Sequence, residues 1–214
     1  MTPTRAIFDM GSVLIGWELR PVYGEYFGSD TELEEFLRGP FRTIYDAVHD
    51  GRGSIAECVA PIRTERPEWN HLIDVYEHRW GDFITEVMTD TVRIARELHA
   101  GGVPLYGLSN WPEQVWPPQK LRTDLATELD FLKLFEDIWV SGEHKLRKPD
   151  PLAYKSALQR FDVAPGEAVF IDDLDENVAA ANQLGLHGLL FTDAPTLRRD
   201  LEAIGLLGAE RGSS

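Results

Sequence analysis

The sequence predicts an α/β fold in which a parallel sheet is covered by helices on both faces. Five short apolar runs, at residues 5–9, 103–109, 138–141, 168–172 and 188–192, are continuous rather than alternating, as strands buried on two sides are. Helical patterns at 91–100, 151–160, 177–184 and 196–204 follow four of these runs or separate them, at the spacing of crossover connections. Gly101, Gly102 and Gly185 fall where helix C-caps belong.

The first run, Ala6-Ile7-Phe8, ends in Asp9 and passes into the turn Met10-Gly11-Ser12. Open α/β sheets gather ligands at the carboxyl ends of their strands, which places Asp9 for chemistry, although Asp also ends strands simply to cap a turn. Residues 19–88 are too many for one crossover helix and read as helical almost throughout. They mark an insert, with boundaries at 17–88, between core segments 1–16 and 89–214. Ser54-Ile55-Ala56-Glu57 is a capping box inside it, and Thr31-Glu32-Leu33-Glu34 suggests a second. Helices inserted just after Asp9 would stand over the carboxyl edge of the sheet as a lid.

The second run ends in Ser109-Asn110, a hydroxyl and an amide that can bind an anionic oxygen or cap a helix starting at Trp111-Pro112. Arg147-Lys148-Pro149-Asp150-Pro151 opens the next helix, and a lysine there reaches a phosphate as a compact charge or stands in solvent. The fourth run ends Phe170-Ile171-Asp172-Asp173. Adjacent carboxylates raise each other's pKa unless a cation compensates, and a hard divalent metal does so; helix capping is the alternative. The remaining histidines lack paired or HExxH-like spacing, so zinc is not expected.

Composition narrows the function classes. The chain has 214 residues, 43% hydrophobic and 27% charged, the make-up of a globular protein with one core. With 36 acidic and 21 basic residues it carries a formal charge of -15, which repels nucleic acid and anionic membrane surfaces. Cys58 is the only cysteine and is expected to be a free, inert thiol. No apolar run approaches the ~20 residues of a membrane-spanning helix, and the amino terminus lacks a signal-peptide pattern. A cytoplasmic location is expected. The tail, residues 208–214, is small and polar and is expected to fray.

Asp, then Ser-Asn, then Lys-Pro, then Asp-Asp, each after a successive strand pattern, resembles the haloacid dehalogenase (HAD) superfamily of aspartate-nucleophile hydrolases, over nearly the whole chain. The resemblance implies a three-layer Rossmann-like core with strand order 5-4-1-2-3, counted over the five predicted strands, and a helical cap at 17–88. It implies Asp9 as nucleophile, forming an aspartyl phosphate. Mg2+ would be held by Asp9, the Gly11 carbonyl and Asp173, with Asp172 acting through water. Ser109, Asn110 and Lys148 would hold phosphoryl oxygens, with backbone N–H groups of the turn at Gly11 and Ser12. Trp17 and Trp111 would either wall the substrate chamber or simply pack core against cap. The implied partner is a small phosphorylated substrate; oligomeric state is not read.

One position departs from the pattern. Phosphatases of this superfamily usually carry a second Asp two residues after the nucleophile, where this chain has Gly11. Losing such an acid-base group typically costs ~10²- to 10⁴-fold in rate. Either the leaving group needs little protonation, as an anomeric sugar oxygen does, or the cap supplies a substitute acid. Phe8-Asp9-Met10-Gly11-Ser12-Val13-Leu14 resembles a branch of bacterial glucose-1-phosphatases, so a sugar phosphate is the favoured substrate. Two rivals stand beside it. A 2-haloacid dehalogenase would need no metal and would match Tyr154, but carries a less acidic fourth motif. A HAD-fold protein that binds phosphate, or acts as an interaction module without turnover, would explain Gly11.

Overall fold

Residues 2–50 and 53–208 are described by the computed structural model; of the tail expected to fray, 209–214 lie outside the described residues. Seven strands form there: β1 (Arg5–Phe8), β2 (Ile15–Trp17), β3 (Ile84–Val87), β4 (Leu105–Ser109), β5 (Phe135–Val140), β6 (Ala168–Asp172) and β7 (His187–Leu190). Five of them make one parallel sheet in the order β5-β4-β1-β6-β7. Leaving out β2 and β3, this is the implied order read from the opposite edge.

The helices are α1 (Arg20–Tyr23), α2 (Asp30–Arg38), α3 (Pro40–Asp50), α4 (Ile55–Glu65), α5 (Asn70–His78), α6 (Thr89–Ala100), α7 (Ser141–His144), α8 (Pro151–Phe161), α9 (Asp175–Gln183) and α10 (Ala194–Ala203). Successive side chains of β1 point to opposite faces. Ile7 joins Leu108, Phe170, Ala157 and Ala181 on the α8 and α9 side, whereas Ala6 and Phe8 join Ala95, Leu98 and Leu201 on the α6 and α10 side. That two-sided burial is why the runs of β1, β4 and β6 are continuous; the edge strand β7, expected to be buried alike, is half-exposed, with Leu190 at its end 41% exposed. Gly102 (φ 81°) and Gly185 (φ 88°) take left-handed conformations behind α6 and α9, as the C-cap reading requires.

Three local expectations need correction. Residues 19–88, expected to be helical almost throughout, are so except near their end, where β3 pairs antiparallel with β2, Ile15 facing Val87 and Trp17 facing Ile84. The segment Ile84-Thr85-Glu86-Val87 is rich in β-branched residues, and the hairpin-like pairing continues through Met88 N–H to Leu14 O (2.9 Å) and Glu18 N–H to Phe83 O (2.9 Å). Helices α1 to α5 thus stand on a two-stranded stalk. The cap of α2 is Ser29, which accepts from Glu32 N–H, not Thr31; Glu32 returns a carboxylate to Gly28 N–H. No α-helix starts at Trp111-Pro112, because Pro117 and Pro118 follow closely and only a single 3-10 turn, Glu113–Val115, forms.

The capping box at Ser54 is present, with Glu57 Oε2 accepting from Ser54 N–H at 2.8 Å. Asp150 caps α8 through Leu152 N–H, with Pro151 in its first turn. Cys58 is a free thiol, and burial pushes its pKa up. Among the described residues no helix is long and apolar enough to cross a membrane.

Candidate active site

The ends of β1, β4 and β6 converge on one cluster. Asp9 follows β1 and is 9% exposed, its N–H tied to Ile171 O at 2.8 Å. Its Oδ1 accepts from Met10 N–H at 2.7 Å and lies 3.0 Å from Lys148 Nζ, while Oδ2 has no protein partner among the described residues. Asp172, fully buried at the end of β6, accepts from Leu174 N–H and Asn177 Nδ2 at Oδ1, both at 2.9 Å, and from Lys148 Nζ at Oδ2, at 2.7 Å. Asp173 stands half-buried beside it, and one carboxylate oxygen from each of Asp9, Asp172 and Asp173 falls within 4.8 Å of the others.

Lys148 is 2% exposed and therefore not a solvated surface lysine. Asn110 fixes it: its Nδ2 donates to Lys148 O and its Oδ1 accepts from Lys148 N–H, both at 2.9 Å. The Asn110 amide, expected to hold phosphate, thus also positions the lysine, with one N–H of Nδ2 still unused among the described residues. Ser109 is buried and its hydroxyl has no partner among the described residues. In the turn after Asp9, Met10 N–H goes to Asp9 and Ser12 N–H to Ile15 O (2.7 Å), which leaves Gly11 as the backbone donor still available. Ser12, at φ 57°, shapes that turn and lines the cavity.

Charge is out of balance here. Burial, reinforced by Asp172 and Asp173 and opposed by Lys148, pushes Asp9 up to about 7. Burial and the neighbouring Asp172 likewise raise Asp173. Burial works against the Lys148 ammonium, yet Asp172 and Asp9 outweigh it and hold the lysine charged. One ammonium therefore faces three carboxylates, and every spare donor atom is oxygen, the set that suits a hard divalent cation. Asn177 Oδ1 adds a buried oxygen with no partner. Both oxygens of Asp172 are already engaged, so Asp9 and Asp173 are the groups free for direct coordination. The residues present fit magnesium.

The cluster opens into a cavity of about 210 Å³ whose far wall comes from the helical insert. Trp17 and Trp111 both line it, joined by Trp80, Tyr45, His49 and Asn177, which sequence reasoning missed as site residues. Trp17 packs 4.1 Å from Trp80 and 5.9 Å from Trp111, centroid to centroid, so the tryptophans both pack together and wall the chamber. A second cavity of about 410 Å³ adjoins, sharing Tyr45, Asn110, Lys148, Leu174 and Asn177 and bounded by Leu19, Leu37 and Phe41 together with Arg42, Arg147 and Glu176. Tyr45 and His49 sit one helical turn apart on α3, a spacing that was in the sequence, but nothing there said that this face meets Asp9.

His49 is buried, bonded through Nε2 to the Tyr76 hydroxyl (3.1 Å), with Nδ1 unpartnered among the described residues. Burial, reinforced by the Arg147 charge, lowers it to about 3. Between about 3 and its ordinary 6.5, the unfolded chain therefore takes up a proton that the folded chain refuses. The neutral imidazole's stability is complete above pH 6.5 and drains away as pH falls towards 3, at about 1.4 kcal/mol per pH unit. Asp9, with its raised pKa, has the opposite slope, so wild type is to be compared with His49→Gln, in which the Asp9 contribution cancels. Urea melts at pH 5 and 6 should show wild type losing that much more stability than the variant over the unit; parallel losses would refute the buried neutral histidine.

Comparison with known proteins adds a lineage to this geometry. A family model described as haloacid dehalogenase-like hydrolase matches residues 5–185. The sesquiterpene phosphatase astK of Aspergillus oryzae is 36% identical over 206 residues, covering 88% of this chain and 90% of that protein. Enolase-phosphatase E1 of Xylella fastidiosa strain M12 is 33% identical over 124 residues, 55% of this chain and 50% of that one. Among solved structures, a HAD family enzyme of Bacteroides thetaiotaomicron superposes with a TM-score of 0.69 at 23% identity, covering 90% of this chain and 95% of that one. That enzyme has also been solved in complex with magnesium.

Proposed function

The chain belongs to the haloacid dehalogenase-like hydrolase family, and from that premise we propose that it is a magnesium-dependent phosphatase that hydrolyses phosphate monoesters of small apolar alcohols through an aspartyl phosphate on Asp9. The observation that carries this is the Asp9 carboxylate itself: one oxygen is pinned by Met10 and Lys148, and the other is unbonded at the cavity. In this reading Asp9 Oδ2 attacks phosphorus, the ester P–O bond breaks, and water then attacks the phosphorus of the aspartyl phosphate. Ser109 Oγ, Lys148 Nζ and Gly11 N–H meet the phosphoryl oxygens. Asp9, Asp173 and the Gly11 carbonyl would hold magnesium, which offsets the charge that otherwise keeps an anionic nucleophile from an anionic ester. Helices α1 to α5, within residues 17–88, serve as the cap.

The cavity walls bear on the leaving group. A sugar presents several hydroxyls, each needing a partner once buried. Beyond the phosphate-facing groups, the first cavity offers Trp17, Trp80, Trp111, Tyr45 and Leu174, and the second adds Leu19, Leu37 and Phe41, with Arg42, Arg147 and Glu176 as its charged groups. An apolar alcohol suits these walls better than the sugar that the Gly11 motif suggests, and the 36% identical relative bears the name of a sesquiterpene phosphatase. The dehalogenase alternative needs no cation, which leaves the acidic set at Asp9, Asp172 and Asp173 without a purpose.

The discriminating assay is phosphate release with and without magnesium from farnesyl monophosphate, an anomeric sugar phosphate and a terminal sugar phosphate. The isoprenyl ester is expected to give the highest kcat/KM by at least about tenfold, the scale of 1.4 kcal/mol of differential burial. Preference for the anomeric sugar would overturn the apolar reading while keeping the phosphatase. Chloride release from chloroacetate without magnesium would overturn both.

A further inference from the structure

We propose that Tyr45 of α3 is the group that protonates the departing alcohol and then takes the proton of the attacking water, standing in for the side chain that Gly11 lacks. This rests on the phosphatase reading above.

Four observations place it. Tyr45 lines both cavities, the one holding Asp9 and the one walled by Leu37 and Phe41. An ester with its phosphoryl group at Asp9 and its apolar portion in the second space must put its bridging oxygen near the junction. The Tyr45 side chain is half-buried, yet its hydroxyl has no hydrogen-bond partner among the described residues. Its ring is held from two sides. It stacks on His49 at 3.9 Å and 23°, and the Arg147 guanidinium lies 6.0 Å from its centroid. Arg147 also pairs with Asp46 at 3.0 Å, so the core loop that carries Lys148 is tied to the residue next to Tyr45. Finally, the phenol senses the charges of Asp9 and Lys148 across the cavity.

The chemistry fits a poor leaving group. Burial, partly countered by Arg147, pushes the phenol up to about 12, so it arrives protonated while remaining a stronger acid than an aliphatic alcohol. As the ester P–O bond breaks, its electron pair stays on the alkoxide oxygen, which takes the Tyr45 proton and leaves as the alcohol. The resulting phenolate removes a proton from water as that water's oxygen bonds to phosphorus. The P–O bond to Asp9 breaks as the bond to water's oxygen forms, which releases inorganic phosphate and restores the Asp9 carboxylate and the Tyr45 phenol. His49 is not the donor: it is held neutral, and its one unpartnered nitrogen is buried. It backs the Tyr45 ring.

The test uses two esters of different leaving-group strength, p-nitrophenyl phosphate, whose phenolate leaves unaided, and hexyl phosphate, whose alkoxide needs a proton. Tyr45→Phe keeps the stacking ring. Its kcat on hexyl phosphate should fall ~10²-fold or more, the typical scale of a lost general acid, and the fall on the aryl ester should be at least ~10-fold smaller. Gly11→Asp on the Tyr45→Phe background should restore hexyl phosphate turnover, because beyond its chain neighbours no described atom lies within 4 Å of where a Cβ at Gly11 would stand. Equal losses on both esters, or failure of that second substitution to restore turnover, would overturn Tyr45 as proton donor while the phosphatase reading stands. Release of phosphate from neither ester by the wild-type protein would bring down both.

Discussion

Asp9→Asn is expected to lower magnesium-dependent phosphate release on the order of 10⁴-fold or more, the scale on which covalent catalysis loses its nucleophile. The asparagine is nearly isosteric, and its amide oxygen can still accept from Met10 N–H and lie beside Lys148, as Asp9 Oδ1 does at 2.7 Å and 3.0 Å. What vanishes is the anionic oxygen at the cavity. Stability should move the other way. Burial and two neighbouring carboxylates disfavour the Asp9 charge, so above pH 7 the metal-free wild type carries an unfavourable ionisation that the variant lacks. Thermal melts at pH 8 without magnesium should therefore place the variant's Tm no lower than that of wild type, a trade of stability for function. Phosphate release at the wild-type rate would remove Asp9 as nucleophile.

Lys148→Met should be the most damaging single change to the fold. The ammonium lies 2.7 Å from Asp172 Oδ2 and 3.0 Å from Asp9 Oδ1, with 1% of its side chain exposed. Methionine keeps much of the length and none of the charge, so the two buried carboxylates are left facing each other. Removing one partner from a buried ion cluster costs about 3–5 kcal/mol. Saturating magnesium should restore part of this, because a ligand that binds only the folded state stabilises by mass action and here also supplies the missing positive charge. Urea denaturation at pH 8, with and without magnesium, reads both effects. A variant as stable as wild type in the metal-free state would show that Lys148 does not compensate the cluster.

The sheet was legible because two-sided burial leaves a direct mark: Ile7 faces one layer and Ala6 and Phe8 the other, so nothing polar interrupts the run. The carboxylates, Ser109 and Lys148 were legible because each stands at or beyond the carboxyl end of a strand, and parallel strands deliver those ends to one edge. The insert was legible in extent but not in effect. Residues 84–87 lie in helical company, and only their pairing with residues 15–17 made them a strand. Tyr45, His49 and Trp80 reach the cavity through docking, with Arg147 bonded to Asp46 over a separation of 101 residues, and local periodicity carries no trace of such an event. Asn110 was found but its bonds to Lys148 were not foreseen, since a side chain that can hold an anion can also hold the backbone of a neighbour.

The two-stranded stalk ties the helical insert to the turn after Asp9. β2 begins six residues beyond Asp9, and its first residue, Ile15, bonds back to Met10 and Ser12 at 2.9 Å and 2.7 Å. Any pivot of the helices would turn about strands already bonded to that turn. Insert and Asp9 turn would share that hinge, and on the phosphatase reading proposed above the nucleophile's surroundings would be set together with the entrance.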